Sequence, residues 1–599
     1  MRLVGACVLT AGILAAACLP AGAVQARAKN PDPAPTLRKG TPKQAGFIPR
    51  YIKDLQDDAY QGTRTQSYGH PAYPGAAFLA ARNGVIAASS ATGFAVRYAN
   101  PSTELPRQQW VSARKSTIYD LASVTKTFTA VLAVQQLAKG TIGLDDPVAT
   151  YIPEFAQGGK GGITIQMLLT HTSGLAPDPT PALWDPIYTN NAQRWAALYA
   201  TVPVAPPDTE YLYSDINYLM MGKVLEQVTG KSLATAVRKW ITKPLGMNDT
   251  MFNPPARLLD RIAATDYEEL PVWPARGMVR GQVDDPNAWA LGGVAGHAGL
   301  FSTTHDMAIY SQMILNRGAY GKVRIVPKSW GPTFYRNYNT AFPGGGHSLI
   351  MQVEQFPRYF GAMDSPRTIG HTGFTGTSVV IDPTTDSFVI LLSNRVHPTF
   401  QWTPRPTPNP QRRAVGDSVA RAVAVPPLEG SYSWFSGMAN NTALDVPPAQ
   451  PSTLTVPVTT TGATRVDFNL WYRLIPSQGG PPAEQGALLW SADNGATWNP
   501  LPFEVRRQGR TDMYPEGTFT GLGNTGWGQA SAVVPLPQTP QPSRILLRWQ
   551  YSDAATWQGR GMYVNHVVVT SGGRTVFDDA RPRAAARVIT AGGFRRSAN

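Results

Sequence analysis

Three short segments carry the side chains that could do chemistry, and the first is Ser123-Val124-Thr125-Lys126. Residues three apart share one face of a helix, so the hydroxyl of Ser123 and the ammonium of Lys126 can meet. A lysine buried beside a serine can lose its proton and help to activate the hydroxyl as a nucleophile. Taken alone, a serine and a lysine at this spacing occur in many proteins as a helix cap and a surface charge.

The second segment is Tyr213-Ser214-Asp215, and the third is the glycine-rich run from Gly370 to Gly376. A phenol held near a cation, as Tyr213 could be, can relay a proton. Glycines let a strand edge approach a substrate closely and present a backbone N–H to developing negative charge. Taken alone, each segment is explained as well by packing or by turn formation.

Taken together, in this order and at these separations, the three segments resemble the active-site motifs of the serine β-lactamase and penicillin-binding-protein superfamily. The resemblance is to the branch that contains AmpC-type β-lactamases, D,D-peptidases and β-lactamase-like esterases. It covers roughly residues 45–425 and includes flanking segments at 121–122, 140–148, 168–175, 244–247 and 296–303.

This resemblance implies that Ser123 is the nucleophile, Lys126 its activating partner, and Tyr213 the general base and later the general acid. The implied reaction attacks an ester, amide or lactam carbonyl through an acyl-enzyme on Ser123. Backbone N–H groups of Ser123 and Phe374 would hold the oxyanion. The other residues implied to bind the substrate or to shape the oxyanion site are Asp215, His371, Thr372, Gly373 and Arg395.

Two positions depart from the pattern of the best-known members. Asp215 replaces the usual asparagine and adds negative charge to the cleft. His371 stands where a lysine usually binds a substrate carboxylate, and a neutral histidine attracts anions less; Arg395 could restore a cation. These changes favour esterase or peptidase-like hydrolysis over efficient β-lactam hydrolysis. A second interpretation stays open, in which degenerate motifs bind penicillin or peptidoglycan without turnover.

Local patterns predict the elements that position these residues. Asn83-Gly84 between apolar runs predicts a hairpin, and a second hairpin is expected over 377–392. Helical periodicity covers 123–137, 163–170, 191–200, 215–229 and 303–316. Strands at both ends with helices between them indicate an α/β domain whose sheet joins early and late segments. The resemblance implies that the sheet is antiparallel, flanked by helices, and accompanied by an all-helical subdomain.

The pattern changes near residue 428, after which short alternating strands predict an all-β sandwich. Within it, Ser491 to Trp498 matches the S-x-D-x-G-x-T-W Asp-box hairpin, for which a structural role is expected. The region resembles the jelly-roll modules that follow secreted bacterial peptidases. It could contact glycan or the cell envelope, and a purely stabilising domain is an equal alternative. The expected domains are therefore a hydrolase domain at 51–427 and an accessory domain at 428–599.

Composition narrows the class of protein further. The 599 residues are 43% hydrophobic and 15% charged, with a net charge of +14 that is dispersed along the chain. No basic helix or aromatic-basic platform indicates nucleic-acid binding, and the eight histidines lack metal-ligand spacing. We therefore expect a small-molecule or peptidoglycan-like substrate, with no metal, cofactor or nucleic acid.

The first residues indicate export. Residues 1–28 resemble a signal peptide, followed by an arm at 29–50, so a secreted or envelope location is expected. Both cysteines, Cys7 and Cys18, lie in this leader. Ordinary cleavage is favoured, with lipidation at Cys18 as the alternative.

Overall fold

The computed structural model describes residues 33–353, 361–362, 365–402, 410–437, 450–476, 484–523, 526–536, 542–553 and 559–599. The expected signal peptide, with Cys18, lies outside these ranges. Among the described residues, no helix is both long enough and apolar enough to cross a lipid bilayer.

The strands of the N-terminal region are β1 (Arg38–Lys39), β2 (Gly75–Arg82), β3 (Val85–Val96), β4 (Tyr98–Asn100), β5 (Thr103–Glu104), β6 (Val111–Ser112), β7 (Tyr119–Asp120), β8 (Met251–Phe252), β9 (Ala264–Glu268), β10 (Gly277–Arg280), β11 (Leu300–Ser302), β12 (Ala319–Tyr320), β13 (Val323–Arg324), β14 (Gln352–Val353), β15 (Ile369–Thr372), β16 (Ser378–Asp382) and β17 (Ser387–Ser393).

One sheet joins the two ends of this region, as the sequence predicts. Its order over the described residues is β1-β3-β2-β17-β16-β15-β14, with β6 beside β3. Asn83 and Gly84 both have positive φ in the tight turn between β2 and β3, where a primed turn requires it. Strand β2 pairs antiparallel with β17 from Arg82–Ser387 to Ala76–Ser393. The expectation of an antiparallel sheet is confirmed except at one edge, where β1 pairs parallel with β3.

The helices are α1 (Pro49–Gln61), α2 (Thr125–Ala138), α3 (Ile165–Thr170), α4 (Asn191–Ala200), α5 (Asp215–Thr229), α6 (Leu233–Val237), α7 (Lys243–Leu245), α8 (Pro286–Ala290), α9 (Thr304–Leu315) and α10 (Pro410–Ala422). Helices α4 and α5 have the bounds that their periodicity predicts. Helix α2 is buried over every residue from Thr125 to Leu137. A helix that is buried all round lies in the core of a domain, so the first motif is held at the centre of the hydrolase region.

The arm before α1 packs against this region. Ala34 forms an antiparallel bridge with Gly321, and Phe47 forms another with Val423. Strand β1 continues the contact by pairing with Val85 and Ile86 of β3. The described part of the arm is therefore ordered against the sheet and is not a free tether.

The C-terminal region contains β18 (Ser433–Ser436), β19 (Ser452–Thr460), β20 (Thr464–Arg473), β21 (Glu484–Ser491), β22 (Asn499–Pro500), β23 (Phe503–Arg507), β24 (Arg510–Tyr514), β25 (Thr518–Phe519), β26 (Gly528–Val534), β27 (Ser543–Asp553), β28 (Gly561–Ser571), β29 (Arg574–Asp578), a short α11 (Pro582–Ala585), β30 (Ile589–Ala591) and β31 (Arg595–Ser597). In the described residues these strands form two antiparallel sheets, of eight and six strands.

Apolar residues of both sheets form one core, which includes Leu454, Phe468 and Trp549, so the predicted all-β region is confirmed. The change of pattern near residue 428 falls between α10 and β18. The division into two separate domains stays a prediction, because residues 34–599 form one compact unit.

The Asp-box forms the hairpin turn that its residues predict. Asn494 and Gly495 have positive φ, and Asp493 accepts hydrogen bonds from the backbone N–H of Thr497 (2.9 Å) and from Ser491 Oγ (2.7 Å). The Trp498 ring lies 3.5 Å from the Arg548 guanidinium carbon. Every contact is internal to the sandwich, as expected of a structural hairpin.

Candidate active site

Ser123 and Lys126 meet at the start of helix α2. Ser123 lies in the single 3₁₀ turn Ala122–Val124 that leads into the helix, and Lys126 lies in the first helical turn. The ammonium Nζ of Lys126 is 2.9 Å from Ser123 Oγ, and the lysine side chain is fully buried. Because Ala122 adopts a left-handed φ of 46°, the backbone turns sharply just before the serine.

The second motif brings a carboxylate to the same lysine. Asp215 is the first residue of α5, where the helix dipole favours a negative charge. Its Oδ1 lies 2.7 Å from Lys126 Nζ, and its side chain keeps 17% exposure. The ring of Tyr213 is centred 5.0 Å from the same Nζ. Lys126 therefore contacts the serine of the first motif and lies beside both functional groups of the second.

Histidine rings flank Tyr213 on two sides. The ring of His171 lies 4.5 Å away and that of His371 6.2 Å away, measured between centroids. His171 ends α3 in a left-handed turn with φ of 59°. Its Nδ1 accepts a hydrogen bond from the backbone N–H of Ser214 (3.1 Å). His171 thus contacts the second motif through both its ring face and its ring nitrogen.

The third motif is bonded to the residues that precede Ser123. Thr375 Oγ1 donates to the carbonyl of Asp120 (2.8 Å), and Thr377 Oγ1 donates to that of Leu121 (2.9 Å). A Cβ on Gly373 would lie 2.4 Å from the Leu121 oxygen, so glycine is required for this approach. The next residue, Phe374, is 37% exposed. The turn after β15 is therefore fixed next to Ser123.

His371 of the third motif and Arg395 beside the motif differ in charge. Burial, and after it the Lys126 ammonium, lower the pKa of His371 to about 3, so this imidazole is neutral at neutral pH. Its Nδ1 donates to the carbonyl of Thr372 (2.8 Å). Arg395 places its guanidinium against Phe374, donating from Nη2 to the carbonyl oxygen of that residue (2.9 Å). The structure thus places Arg395 at the third motif, where the sequence expects a compensating cation.

A glycine-rich loop, residues 292–299, packs between the two helices that carry the first two motifs, α2 and α5. Along α2, Thr129 Oγ1 donates to the carbonyl of Gly296 (2.8 Å), and Lys126 Nζ donates to that of His297 (3.2 Å). On its other side the loop touches α5, where a Cβ on Gly296 would lie 1.9 Å from the carbonyl oxygen of Tyr218. The loop sets the spacing between α2 and α5.

Gly296→Ala should destabilise the protein and lower its activity together. The added methyl must push α5 away from the loop, and overpacking of this kind costs about 2–3 kcal/mol. We expect this loss in the free energy of unfolding measured in urea. Gly161→Ala is the matched control, because a Cβ at Gly161 meets no atom within 4 Å. Equal stability of the two variants would contradict this role for the loop.

Three further ionisable residues lie near the lysine and are not among the predicted site residues: Asp178, Asp285 and His297. Asp285 and His297 form a pair with 3.1 Å between Oδ1 and Nε2. Burial, and then the charges of Asp215 and Asp285, raise the pKa of Asp178 to about 6. None of these residues belongs to a motif. The one feature of the sequence that could have pointed to them is the glycine-rich segment around His297.

Asp215, Asp285 and His297 form a group of three possible metal ligands among the described residues, with their ligand atoms within 4.8 Å of one another. Lys126 already supplies a cation to this group, through its 2.7 Å contact with Asp215. We therefore treat the group as part of the lysine's surroundings.

The Beta-lactamase family model matches residues 51–408 of the chain. The chain belongs to the Beta-lactamase family. The match spans all three motifs, and the β-lactamase-like fold expected for the N-terminal region is confirmed.

Several known proteins are similar to this chain in sequence or in structure. A protein of Escherichia coli strain K12, named provisionally as a D-alanyl-D-alanine carboxypeptidase, is 33% identical over 388 residues, which cover 61% of this chain and 86% of the relative. A solved penicillin-binding-protein homologue from Caulobacter crescentus is similar with 21% identity and a TM-score of 0.44, covering 58% of this chain and 93% of its own. EstCE1, described as a hydrolase with promiscuous acyltransferase activity, is similar with 22% identity and a TM-score of 0.47, covering 62% and 98%.

Proposed function

We propose that this protein is a serine hydrolase that acts through an acyl-enzyme on Ser123. The observation that carries the proposal is the contact of 2.9 Å between Ser123 Oγ and the fully buried ammonium of Lys126. Tyr213 beside the same ammonium and the Phe374 turn beside the serine complete the set of groups that acyl transfer needs.

In the proposed reaction, Ser123 Oγ attacks the carbonyl carbon of the substrate and forms the new C–O bond. Its proton passes to the phenolate oxygen of Tyr213, whose negative charge the Lys126 ammonium stabilises before the transfer. Backbone N–H groups of Ser123 and Phe374 hold the oxyanion. Tyr213 then returns the proton to the leaving group, and water releases the acyl group by the reverse sequence of proton transfers.

The substrate class follows from the charges in the cleft and from the relatives. The neutral His371 offers no positive charge to a substrate carboxylate, and Asp215 adds a negative charge. We therefore infer that esters and peptide amides are preferred over β-lactams. The carboxypeptidase name of the E. coli relative makes peptides ending in D-alanine the first amides to test. Their terminal carboxylate would need a cation other than His371, and Arg395 beside the Phe374 turn is the candidate.

The location and the role of the C-terminal region belong to the same proposal. A peptidoglycan-like substrate and the signal-like residues 1–28 support a secreted or envelope-bound enzyme. The β-sandwich would then either contact envelope glycan or stabilise the hydrolase region. Deleting residues 428–599 and measuring binding to purified cell walls distinguishes these two roles.

Covalent labelling tests the proposed function directly. The full chain is incubated with a fluorophosphonate and with a fluorescent penicillin, and the modified peptide is located by mass spectrometry. We expect labelling of Ser123, followed by turnover in a screen of short p-nitrophenyl esters, D-Ala-D-Ala peptides and nitrocefin. Stable labelling by penicillin with no turnover of any substrate would favour the non-catalytic binding protein, and no labelling at all would refute the proposed nucleophile.

His371→Lys should shift the substrate preference towards anionic substrates. A fixed cation beside the cleft attracts the carboxylate of a cephalosporin, and one partly screened ion pair contributes about 0.5–1 kcal/mol, a shift of several-fold. The measurement is the ratio of kcat/KM for nitrocefin to that for a neutral ester. His305→Lys on the exposed start of α9 is the control, since His305 is 67% exposed. If the ratio stays unchanged or falls, Arg395 or another group already serves the anion.

A further inference from the structure

Asp285 and His297 form an ion pair next to Lys126. Asp285 Oδ1 lies 3.1 Å from His297 Nε2, and the side chain of His297 is only 1% exposed while that of Asp285 is 24% exposed. Asp285 also caps α8 by accepting the backbone N–H of Ala288 (2.7 Å). The pair thus joins the start of α8 to the glycine-rich loop 292–299.

The backbone of His297 touches the proposed catalytic lysine. Its carbonyl accepts a hydrogen bond from Lys126 Nζ at 3.2 Å. Among the described residues the ammonium therefore has three polar contacts: Ser123 Oγ, Asp215 Oδ1 and this carbonyl. Whatever holds His297 in place also holds one of the three contacts of the lysine.

The charges of the pair balance each other beside the lysine. Burial opposes a charged imidazole, but the Asp285 carboxylate and its hydrogen bond raise the pKa of His297. Burial likewise opposes a charged Asp285, but His297 lowers the pKa of that carboxyl. Besides Asp285, the groups that face His297 are Asp215 from α5, which favours the imidazolium, and Lys126 from α2, which disfavours it. The charges of this pair, of Asp215 and of Lys126 also act on the carboxyl of Asp178.

We propose that the Asp285–His297 pair is a positioning pair for Lys126, in which His297 neutralises Asp285 and fixes the carbonyl that accepts from the ammonium. Without the imidazolium, Asp285 would be an unpaired, largely buried carboxylate near the lysine. Removing one partner of a buried ion pair leaves the charge of the other uncompensated. The uncompensated carboxylate of Asp285 would attract the Lys126 ammonium away from Ser123. This inference rests on the proposed function, since it concerns the lysine that activates Ser123.

A double-mutant cycle tests the proposal. We expect His297→Gln to slow fluorophosphonate labelling of Ser123 and to lower kcat by about tenfold, with KM nearly unchanged, a size typical of coupled neighbours. Asp285→Asn keeps an acceptor for the α8 cap and should cost less. The double variant should recover most of the rate lost in His297→Gln, because the competing carboxylate is gone.

The recovery separates positioning from simple structural support. If the pair only stabilised the fold, the double variant would be as slow as His297→Gln, and that result would overturn the proposal. His305→Gln is the matched control, because His305 also faces an aspartate, Asp306, but is exposed on α9. Thermal unfolding of every variant checks that the rates compare folded proteins.

The dependence of the labelling rate on pH tests the same proposal without replacing the buried His297. Since the pKa of His297 is raised, its imidazole is charged below that pKa and loses the charge as the pH rises through the pKa. The wild-type labelling rate should therefore show a decline on the alkaline side that Asp285→Asn lacks. An identical decline in both proteins would overturn the proposal.

A readout that needs no activity keeps the proposal testable even if the proposed function fails. The imidazole titration of His297 is followed by NMR in histidine-labelled protein. In Lys126→Met the midpoint of this titration should rise, because in the wild-type protein the ammonium disfavours the imidazolium. An unchanged titration would show that the pair and the lysine are not coupled, whereas failure to label wild-type Ser123 would refute the hydrolase alone.

Discussion

Ser123→Ala should abolish both covalent labelling and hydrolysis while leaving the fold intact. The side chain is small and its hydroxyl contacts Lys126 Nζ, so its removal leaves no cavity of consequence. Loss of a nucleophile lowers kcat on the order of 10⁴-fold or more. The measurements are kcat for the best ester found in the screen and the labelled fraction after fluorophosphonate treatment.

The control for this experiment is Ser116→Ala, an exposed serine seven residues earlier in the chain. It should retain wild-type rates. Turnover near the wild-type level in Ser123→Ala, with labelling at another residue, would show that the acyl-enzyme forms elsewhere and that the proposed mechanism is wrong.

Lys126→Met should give the second-largest loss. Methionine retains much of the apolar volume of the lysine stem but removes the ammonium, so the rate should fall by about a thousandfold, as expected for loss of a proton-transfer partner. The substitution also leaves Asp215 without its partner at 2.7 Å. We therefore expect a loss of about 3 kcal/mol in the free energy of unfolding as well.

The double variant Lys126→Met, Asp215→Asn separates the two effects. Neutralising the carboxylate should restore the stability measured in urea but not the activity. Lys115→Met, at an exposed position, controls for the loss of a lysine in general. Recovery of activity in the double variant would show that Lys126 serves only to neutralise Asp215.

Much of the fold could be predicted because its signals are local. Helix α4 begins where Asn190 accepts the backbone N–H of Gln193, and α5 ends where Gly230 takes a left-handed φ. Both features depend on residues within one turn of the helix end, so the bounds follow from the sequence. The same holds for the turn at Asn83-Gly84.

The surroundings of Lys126 could be predicted only in part. Ser123 is three residues away, but His297 is 171 residues away and contacts the lysine through a backbone carbonyl. Every residue type has such a carbonyl, so no side-chain pattern reveals the contact. The charges of Asp178 and Asp285 likewise matter only because the fold brings separate loops together. The parallel pairing of β1 with β3 was not predicted either, because a strand of two residues is too short to show an alternating pattern of apolar and polar residues.

The pairing of β2 with β17 governs the order in which this protein can fold. Arg82 and Thr385 touch across 303 residues of chain, so the loop between them must close before the central sheet exists. Contacts of such high sequence separation slow folding. Until β17 has been synthesised, one edge of the β2–β3 hairpin has unpaired N–H and C=O groups, which invite pairing with other chains. Fragments that end before residue 387 should therefore aggregate.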